Sequence, residues 1–572
     1  MVSSSGTMPS NVTRYRTLTI TLQIIAVSLG ALQAWHFRFD SDADGISYLD
    51  IGDKYLQGDW GAAINSYWSP LYSWVLGSIL FVLKPSSYWE FPVVHLVNFA
   101  IYVGTLFCFA FFLRELIRYN RLTVAKYGGD EDDALPLAAW LALGYALFVS
   151  SALSMVSVKS VNPDLMVTGF VYLTTGLLLR IYMGSMKWIT FVLFGMVLGA
   201  NYLAKAAMFP LAFIFLALAI LAMGSLRQAF PRILISFCVF GAIAAPFIAA
   251  ISQAKGRLTV GDSAKYNYAY WVNGKASNVH WRDEPPGVLR HPTRKIFEAP
   301  AAFEFGTPIE STYPPWYDPT YWHEGIRAQF DLKQQLWRLV VNTADYVEIF
   351  TRPSILPIAG FLFLCVAANR PRTTAGTIAA NWILILPAIA TLAMYFVVHV
   401  QSRYIGSFIV LLCSGIGCGV RMIRSKELYK AITLASFALF AILAITIAFA
   451  PVLALSREIV GLEKQSHVQW EAANGLNRLG IRPGDKVALI GDGYFEYWAR
   501  LARVQIVAEI PSDNIDRFWS ADEATRSEVF DVLAGTGAKA VVTRAVAPRG
   551  LMSGWHPIDG QSYYYAHTFR GK

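Results

Sequence analysis

The chain has 572 residues, of which 55% are apolar and only 15% charged, whereas a soluble domain carries charge on about a quarter of its residues. Its formal net charge of +9 would point a soluble protein toward nucleic acid. Here much of the excess Lys and Arg lies in short loops between apolar runs, the trace left by cytoplasmic retention of basic residues. Composition therefore excludes a soluble globular domain, and nucleic acid is not an expected partner.

Apolar runs of about 17–25 residues, enough to cross hydrocarbon, fall at 17–36, 91–113, 135–156, 164–182, 188–206, 209–224, 231–251, 352–369, 376–398, 404–422 and 430–453. The first follows Arg14 and Arg16 but is longer than a signal-peptide core and lacks a small-residue cleavage site, so it reads as a retained span. With the N-terminus in the cytoplasm, the basic loops all fall on one side. They carry Arg114, Arg118, Arg121 and Lys126, then Arg180 and Lys187, Arg227 and Arg232, Arg370 and Arg372, and finally Arg421, Arg424, Lys426 and Lys430. Segments 37–90, 252–350 and 456–572 then face outward. The apolar run 71–83 lies between Pro70 and Lys84-Pro85 and is short for a span, so it is expected to be interfacial or re-entrant. Counting it gives a twelve-span alternative that inverts every later loop. All five cysteines sit in apolar runs, and no disulfide framework is expected.

The expected fold is thus a polytopic α-helical membrane protein with about eleven transmembrane helices, an extracytoplasmic loop domain and a small C-terminal α/β domain. Its parts are an N-terminal transmembrane module 1–251, the loop region 252–350, the C-terminal spans 351–455 and the domain 456–572. The loop region is rich in Pro, Tyr and Trp, without clean periodicity, and Pro285-Pro286 and Pro314-Pro315 favour irregular structure. Its Tyr and Trp between 266 and 322 offer stacking surfaces for sugar rings. His280, Asp283, Glu284 and His291 are metal-type donors, but their spacing matches no familiar ligand set. No cofactor is expected, with a divalent metal there as the alternative. In the C-terminal domain a helix near 462–478 precedes strand-like runs at 486–490, 504–510 and 538–543 and an aromatic strand near 563–569. Gly491-Asp492-Gly493 lacks the third glycine of a dinucleotide fingerprint and reads as a structural turn.

The first outer segment holds the densest chemistry. Phe39-Asp40-Ser41-Asp42-Ala43-Asp44-Gly45-Ile46-Ser47-Tyr48-Leu49-Asp50 places acids directly after a span. A helix is expected to start here with Asp44 as N-cap and Ile46, Leu49 and Leu56 on its apolar face. Such a carboxylate at a membrane cavity can act as general base on a hydroxyl; the plainer reading is capping in a solvated acidic loop. Gly58-Asp59-Trp60 and Tyr67-Trp68-Ser69-Pro70-Leu71-Tyr72-Ser73-Trp74 follow. Further on come Asn162-Pro163-Asp164, Gly195-x3-Gly199 with Tyr202-Leu203-Ala204-Lys205, and His399-Val400-Gln401-Ser402-Arg403-Tyr404.

In order and content, these segments resemble the GT-C superfamily of polyprenyl-phosphate-sugar-dependent glycosyltransferases, in the branch of protein O-mannosyltransferases and lipid A aminoarabinose transferases. The resemblance runs over roughly residues 15–425. It departs from the pattern at Gly45, where a second acid is usual, at Ser47, where Arg precedes the Tyr, and around Trp68-Ser69, where a Lys is common. The resemblance implies an enzyme that moves a sugar from a polyprenyl-phosphate carrier to an extracytoplasmic acceptor, in the plasma (inner) membrane, with inversion at the anomeric carbon. Asp44 is then the catalytic base, Asp42 and Asp164 secondary acids, and Arg403 and Lys205 the ligands of the donor phosphate. The plainer readings are a snorkelling interfacial Arg403 and helix capping by Asp164. Lys159 is a further outer cation. A transporter or lipid flippase, or a non-catalytic scaffold, is the alternative; the first of these predicts charge near the bilayer midplane or internal repeats.

Overall fold

The computed structural model describes residues 8–126, 130, 133–274, 293–305, 310–319, 328–367, 376–462, 467–544 and 553–569. The candidate metal donors His280, Asp283, Glu284 and His291 lie outside these residues.

Helices occupy each of the expected span positions: Met8–His36, Glu90–Lys126, Leu137–Val149, Asp164–Tyr182, Trp188–Ala204, Met208–Met223, Leu226–Lys255, Leu356–Ala367, Trp382–Phe396, Ser402–Gly419 and Lys426–Ile459. Seven spans among the described residues are long and apolar enough to cross a bilayer unaided. Helices Trp188–Ala204, Met208–Met223 and Trp382–Phe396 have 17, 16 and 15 residues. At about 1.5 Å per residue they fall short of a hydrocarbon layer of about 30 Å. Glycines set the closest helix contacts: a β-carbon on Gly195 would collide with the Ser236 carbonyl, and one on Gly199 with Ile243. The Gly-x3-Gly spacing is thus the face that seats Trp188–Ala204 against Leu226–Lys255.

Between the first two spans the chain folds into helices Ala43–Gln57 and Pro70–Leu83. The Asp42 carboxylate accepts from the Gly45 amide at 3.0 Å and caps the first of them, correcting the expectation that Asp44 does so. Gly58, at a φ of 79°, ends it. Pro70 opens the second at its first turn, where no N–H is needed. The two helices cross at Gly52 and Gly77, where a β-carbon on either would sit 2.8 Å from the other helix's backbone oxygen. This crossing is tight enough to hold the acidic loop as a rigid shelf.

Segment 252–350 is more regular than its composition suggests. It supplies β1 (Thr293–Phe297) and β2 (Ala302–Phe305) and ends in helix Leu332–Thr351. That helix turns by 82° into Leu356–Ala367 and exposes Leu332, Leu336, Trp337, Val340 and Val347. An amphipathic helix at a steep angle to a span is the geometry of an interfacial helix. The strands β3 (Lys486–Ile490), β4 (Gln505–Ile510), β5 (Ala540–Arg544), β6 (His556–Pro557) and β7 (Tyr564–Thr568) complete one sheet in the order β1-β2-β4-β3-β5-β7-β6. Its centre β4-β3-β5 is parallel and its flanks antiparallel. Segments 252–350 and 456–572 therefore share one sheet.

Arg500 ties this sheet domain to the shelf. It is 2% exposed and lies 2.6 Å from Asp50, 2.6 Å from Asp53 and 2.8 Å from Glu90. Asp50 also accepts from the Thr312 amide at 2.7 Å.

Candidate functional site

Acidic and basic groups from distant parts of the chain meet at one end of the helices. Asp42 and Asp44 come from the shelf. Asp164 stands in the first turn of Asp164–Tyr182, Lys205 directly after Trp188–Ala204, and Arg403 in the first turn of Ser402–Gly419. Arg403 donates to Asp44 at 3.2 Å and lies 3.5 Å from Asp164. Lys205 reaches Asp164 at 2.5 Å and rests 3.8 Å above the Tyr404 ring. The five candidates from the sequence are thus one constellation. Lys159 is not part of it; it pairs with Asp40 at 3.1 Å.

Local structure explains each placement. Gln33 of the first span donates to the Leu153 carbonyl at 2.9 Å and accepts from the Val158 amide at 3.0 Å. It thereby pins the π-helical turn Ser150–Val156 that leads toward Asp164. Asn162 then links two acids: its amide donates to Asp42 at 3.3 Å while its oxygen accepts from the Asp164 amide at 3.1 Å. Neither Asn162 nor Gln33 was identified from sequence as a positioning residue, although Asn-Pro-Asp was legible as a motif. Gln401 accepts from Arg403 Nε at 2.8 Å and orients its guanidinium. His399 stacks on Trp271 at 3.8 Å and accepts from Arg338 at 2.7 Å. Burial, with Arg338 and Arg403 beside it, lowers its pKa to about 4; it stays neutral near pH 7 and serves to seat the loop.

Below the acids lies an aromatic block. Tyr48, Trp68 and Tyr67 pack edge to face at 5.1 Å and 4.5 Å, and Trp68 meets Trp316 at 5.6 Å. Ser47 and Trp68 both donate to the Trp316 carbonyl, at 2.9 Å and 3.1 Å. Ser47, which departs from the expected Arg, is therefore spent on holding the loop region against the shelf. Gly58-Asp59-Trp60 likewise has a structural role: Asp59 caps a short helix through the Ala62 amide at 3.2 Å.

The electrostatics follow from burial. Asp164 is 3% exposed, and an unpaired carboxylate at that depth would be costly; Lys205 and Arg403 neutralise it. Asp42 is different. Burial and the neighbouring Asp44 push its carboxyl up to about 7, against the opposing pull of Arg403, the Gly45 amide and Asn162. Its capping geometry turns Asp42 inward, beside Asp44. Among the described residues, no cluster of three or more His, Cys, Asp or Glu side chains is arranged to hold a metal.

Comparison with known proteins gives a fold. No protein-family profile matches the chain, and no curated protein matches it. Among solved structures it resembles ArnT from Cupriavidus metallidurans bound to undecaprenyl phosphate, at a TM-score of 0.51 and 12% identity, covering 97% of each chain. It also resembles the Archaeoglobus fulgidus oligosaccharyltransferase in its apo form, at a TM-score of 0.48 and 12% identity over 93% of this chain and 69% of that one; a score below one half carries no weight here. Full-length agreement with the first, on a chain whose helices fill the expected spans, gives a multi-pass membrane protein of GT-C-like fold.

Proposed function

We propose that the protein is an inverting glycosyltransferase that moves a sugar from a polyprenyl-phosphate carrier to an extracytoplasmic acceptor. The observation that carries this reading is the convergence of Asp44, Asp164, Lys205 and Arg403 from four segments onto one cluster at the ends of the helices. A lipid-linked phosphate at the membrane surface meets two cations there, one with a bidentate fork. The ArnT structure of the same fold is described as bound to undecaprenyl phosphate.

In this mechanism the acceptor oxygen attacks the anomeric carbon as the bond from that carbon to the phosphate oxygen breaks. Asp44 takes the acceptor's proton, and the carrier phosphate leaves with the bonding electrons onto Arg403 and Lys205. A single displacement inverts the anomeric centre, by analogy with single-step glycosidases. Asp164 keeps the two cations together. A flippase reading predicts charge near mid-membrane, whereas this cluster lies at helix ends. The acceptor side is taken as extracytoplasmic because the basic loops gather at the opposite end, where Arg114, Arg118 and Arg180 surround Glu115.

The test is transfer by purified protein in nanodiscs from radiolabelled polyprenyl-phosphate sugars, beside mass spectrometry of cell-envelope glycans and glycolipids with and without the gene. Envelope glycans unchanged on deletion, with no transfer from any carrier in vitro, would remove the reading.

A further inference from the structure

A cavity of about 250 Å³ opens beside the cluster, and Arg403 forms part of its wall. The remaining polar lining includes Gln401 and Ser402 from the same turn and Asp345, Glu348 and Arg352 from the interfacial helix and its end. Met155 and Ile349 give it an apolar floor. The acids are held but not consumed. Asp345 lies 3.6 Å from Arg338 and is 34% exposed, and Glu348 accepts from Arg352 at 2.7 Å yet is 68% exposed. Each keeps oxygens turned to the opening.

Helix periodicity explains why these groups share a side. Positions 345, 348, 349 and 352 follow one another at steps of three and four, so they line one face. The opposite face carries Tyr346, Val347 and Phe350, which with Phe396 line an apolar groove of about 430 Å³. One helix therefore separates a polar chamber touching Arg403 from an apolar channel. A carrier with a sugar head and a hydrocarbon tail has the same division.

Building on the glycosyltransferase reading above, we propose that this cavity holds the sugar ring of the donor, with Asp345 and Glu348 accepting its hydroxyls. The volume admits a monosaccharide while the phosphate stays on Arg403. Ionised carboxylates accept only and carry several lone pairs, which suits a ring that presents several O–H donors. Each acid has its own counter-charge apart from the phosphate site, Asp345 in Arg338 and Glu348 in Arg352, so the cavity carries no net charge and the ring is an uncharged, hydroxyl-rich sugar.

The experiment compares bare undecaprenyl phosphate with its glucosyl and mannosyl esters, by binding to the full chain in nanodiscs. Wild-type protein is expected to bind at least one ester tenfold more tightly than the bare carrier. Glu348→Gln should erase most of that preference and leave affinity for the bare carrier unchanged; it is exposed, so folding is not at issue. Asp345→Asn should do the same, and unchanged affinity for the bare carrier reports an intact phosphate site. Equal binding of carrier and esters to wild type, or an undiminished preference in both variants, overturns the sugar-cavity proposal while the phosphate site stands. Failure of wild type to bind the bare carrier and both esters overturns the glycosyltransferase reading itself, and this proposal with it.

Discussion

Arg403 Nη2 lies 3.2 Å from Asp44 Oδ2, so the cation assigned to the phosphate and the carboxylate assigned to the proton share one ion pair. A phosphate competes for the same guanidinium. On the proposed function, its arrival should draw Arg403 toward the carrier and free Asp44 to accept a proton, coupling donor binding to activation of the base.

That coupling separates two variants. Asp44→Asn should fold normally and bind donor, yet lose transfer by about 10²–10⁴-fold, the usual cost of a missing general base. Arg403→Ala should weaken donor affinity as well as turnover, since it removes a ground-state contact with phosphate. Single-turnover transfer and donor binding on both variants make the comparison; near-normal turnover in Asp44→Asn would reassign the base.

Asp164 serves the cations. It is 3% exposed and pairs with both Lys205 and Arg403. Asp164→Ala should lower stability by about 3–5 kcal/mol, because Lys205 loses its carboxylate partner and Arg403 one of its two. Adding Lys205→Met should restore part of the loss by removing one of these cations. Thermal melts in detergent check both; a double variant no more stable than the single would show that the pairing does not govern stability.

Asp42 predicts a pH signature. Burial pushes its carboxyl up to about 7 in the folded protein, from an ordinary value of 3.8. The folded state therefore binds the proton more tightly, and stability falls as pH rises from about 4 through 7. The contribution is complete at low pH and lost above the folded value. Asp42→Asn keeps the cap and should flatten this slope, melting higher than wild type at pH 8 and about equally at pH 4. Parallel melting curves of the two proteins across that range would refute the assignment.

Arg500 joins the sheet domain to the shelf through Asp50, Asp53 and Glu90. Arg500→Gln leaves the buried Asp50 without a cation, and Asp53 and Glu90 with Arg503 alone, and should cost about 3–5 kcal/mol. The domain should also loosen, read as faster limited proteolysis between 456 and 572 with the transmembrane part intact. Arg500→Lys should recover only part, because one ammonium cannot meet three carboxylates with the fork of a guanidinium.

Much of this was legible in one dimension because the bilayer acts as a uniform solvent. Each span must satisfy its backbone internally, so apolar length alone marked the helices, and the strands β3, β4, β5 and β7 followed from alternation within the C-terminal domain. The amphipathic helix Leu332–Thr351 escaped notice because it sits in a segment whose composition reads as irregular. β1 and β2 escaped because β1 is an edge strand held by β2, and the strand β4 that anchors β2 lies about two hundred residues away.

At the site, the sequence by itself determined which ionisable residues stand at span ends: Asp44, Asp164, Lys205 and Arg403 follow from apolar boundaries and from ordered motifs. Only the tertiary structure decided how they pair, that Asp42 and not Asp44 caps the helix, and that Asn162 bridges two acids. Pairing depends on distances of a few ångströms between segments up to 359 residues apart, and these are set by glycine-tight helix crossings and by Arg500. A linear pattern locates charges along the membrane normal, but the lateral packing of helices brings them together.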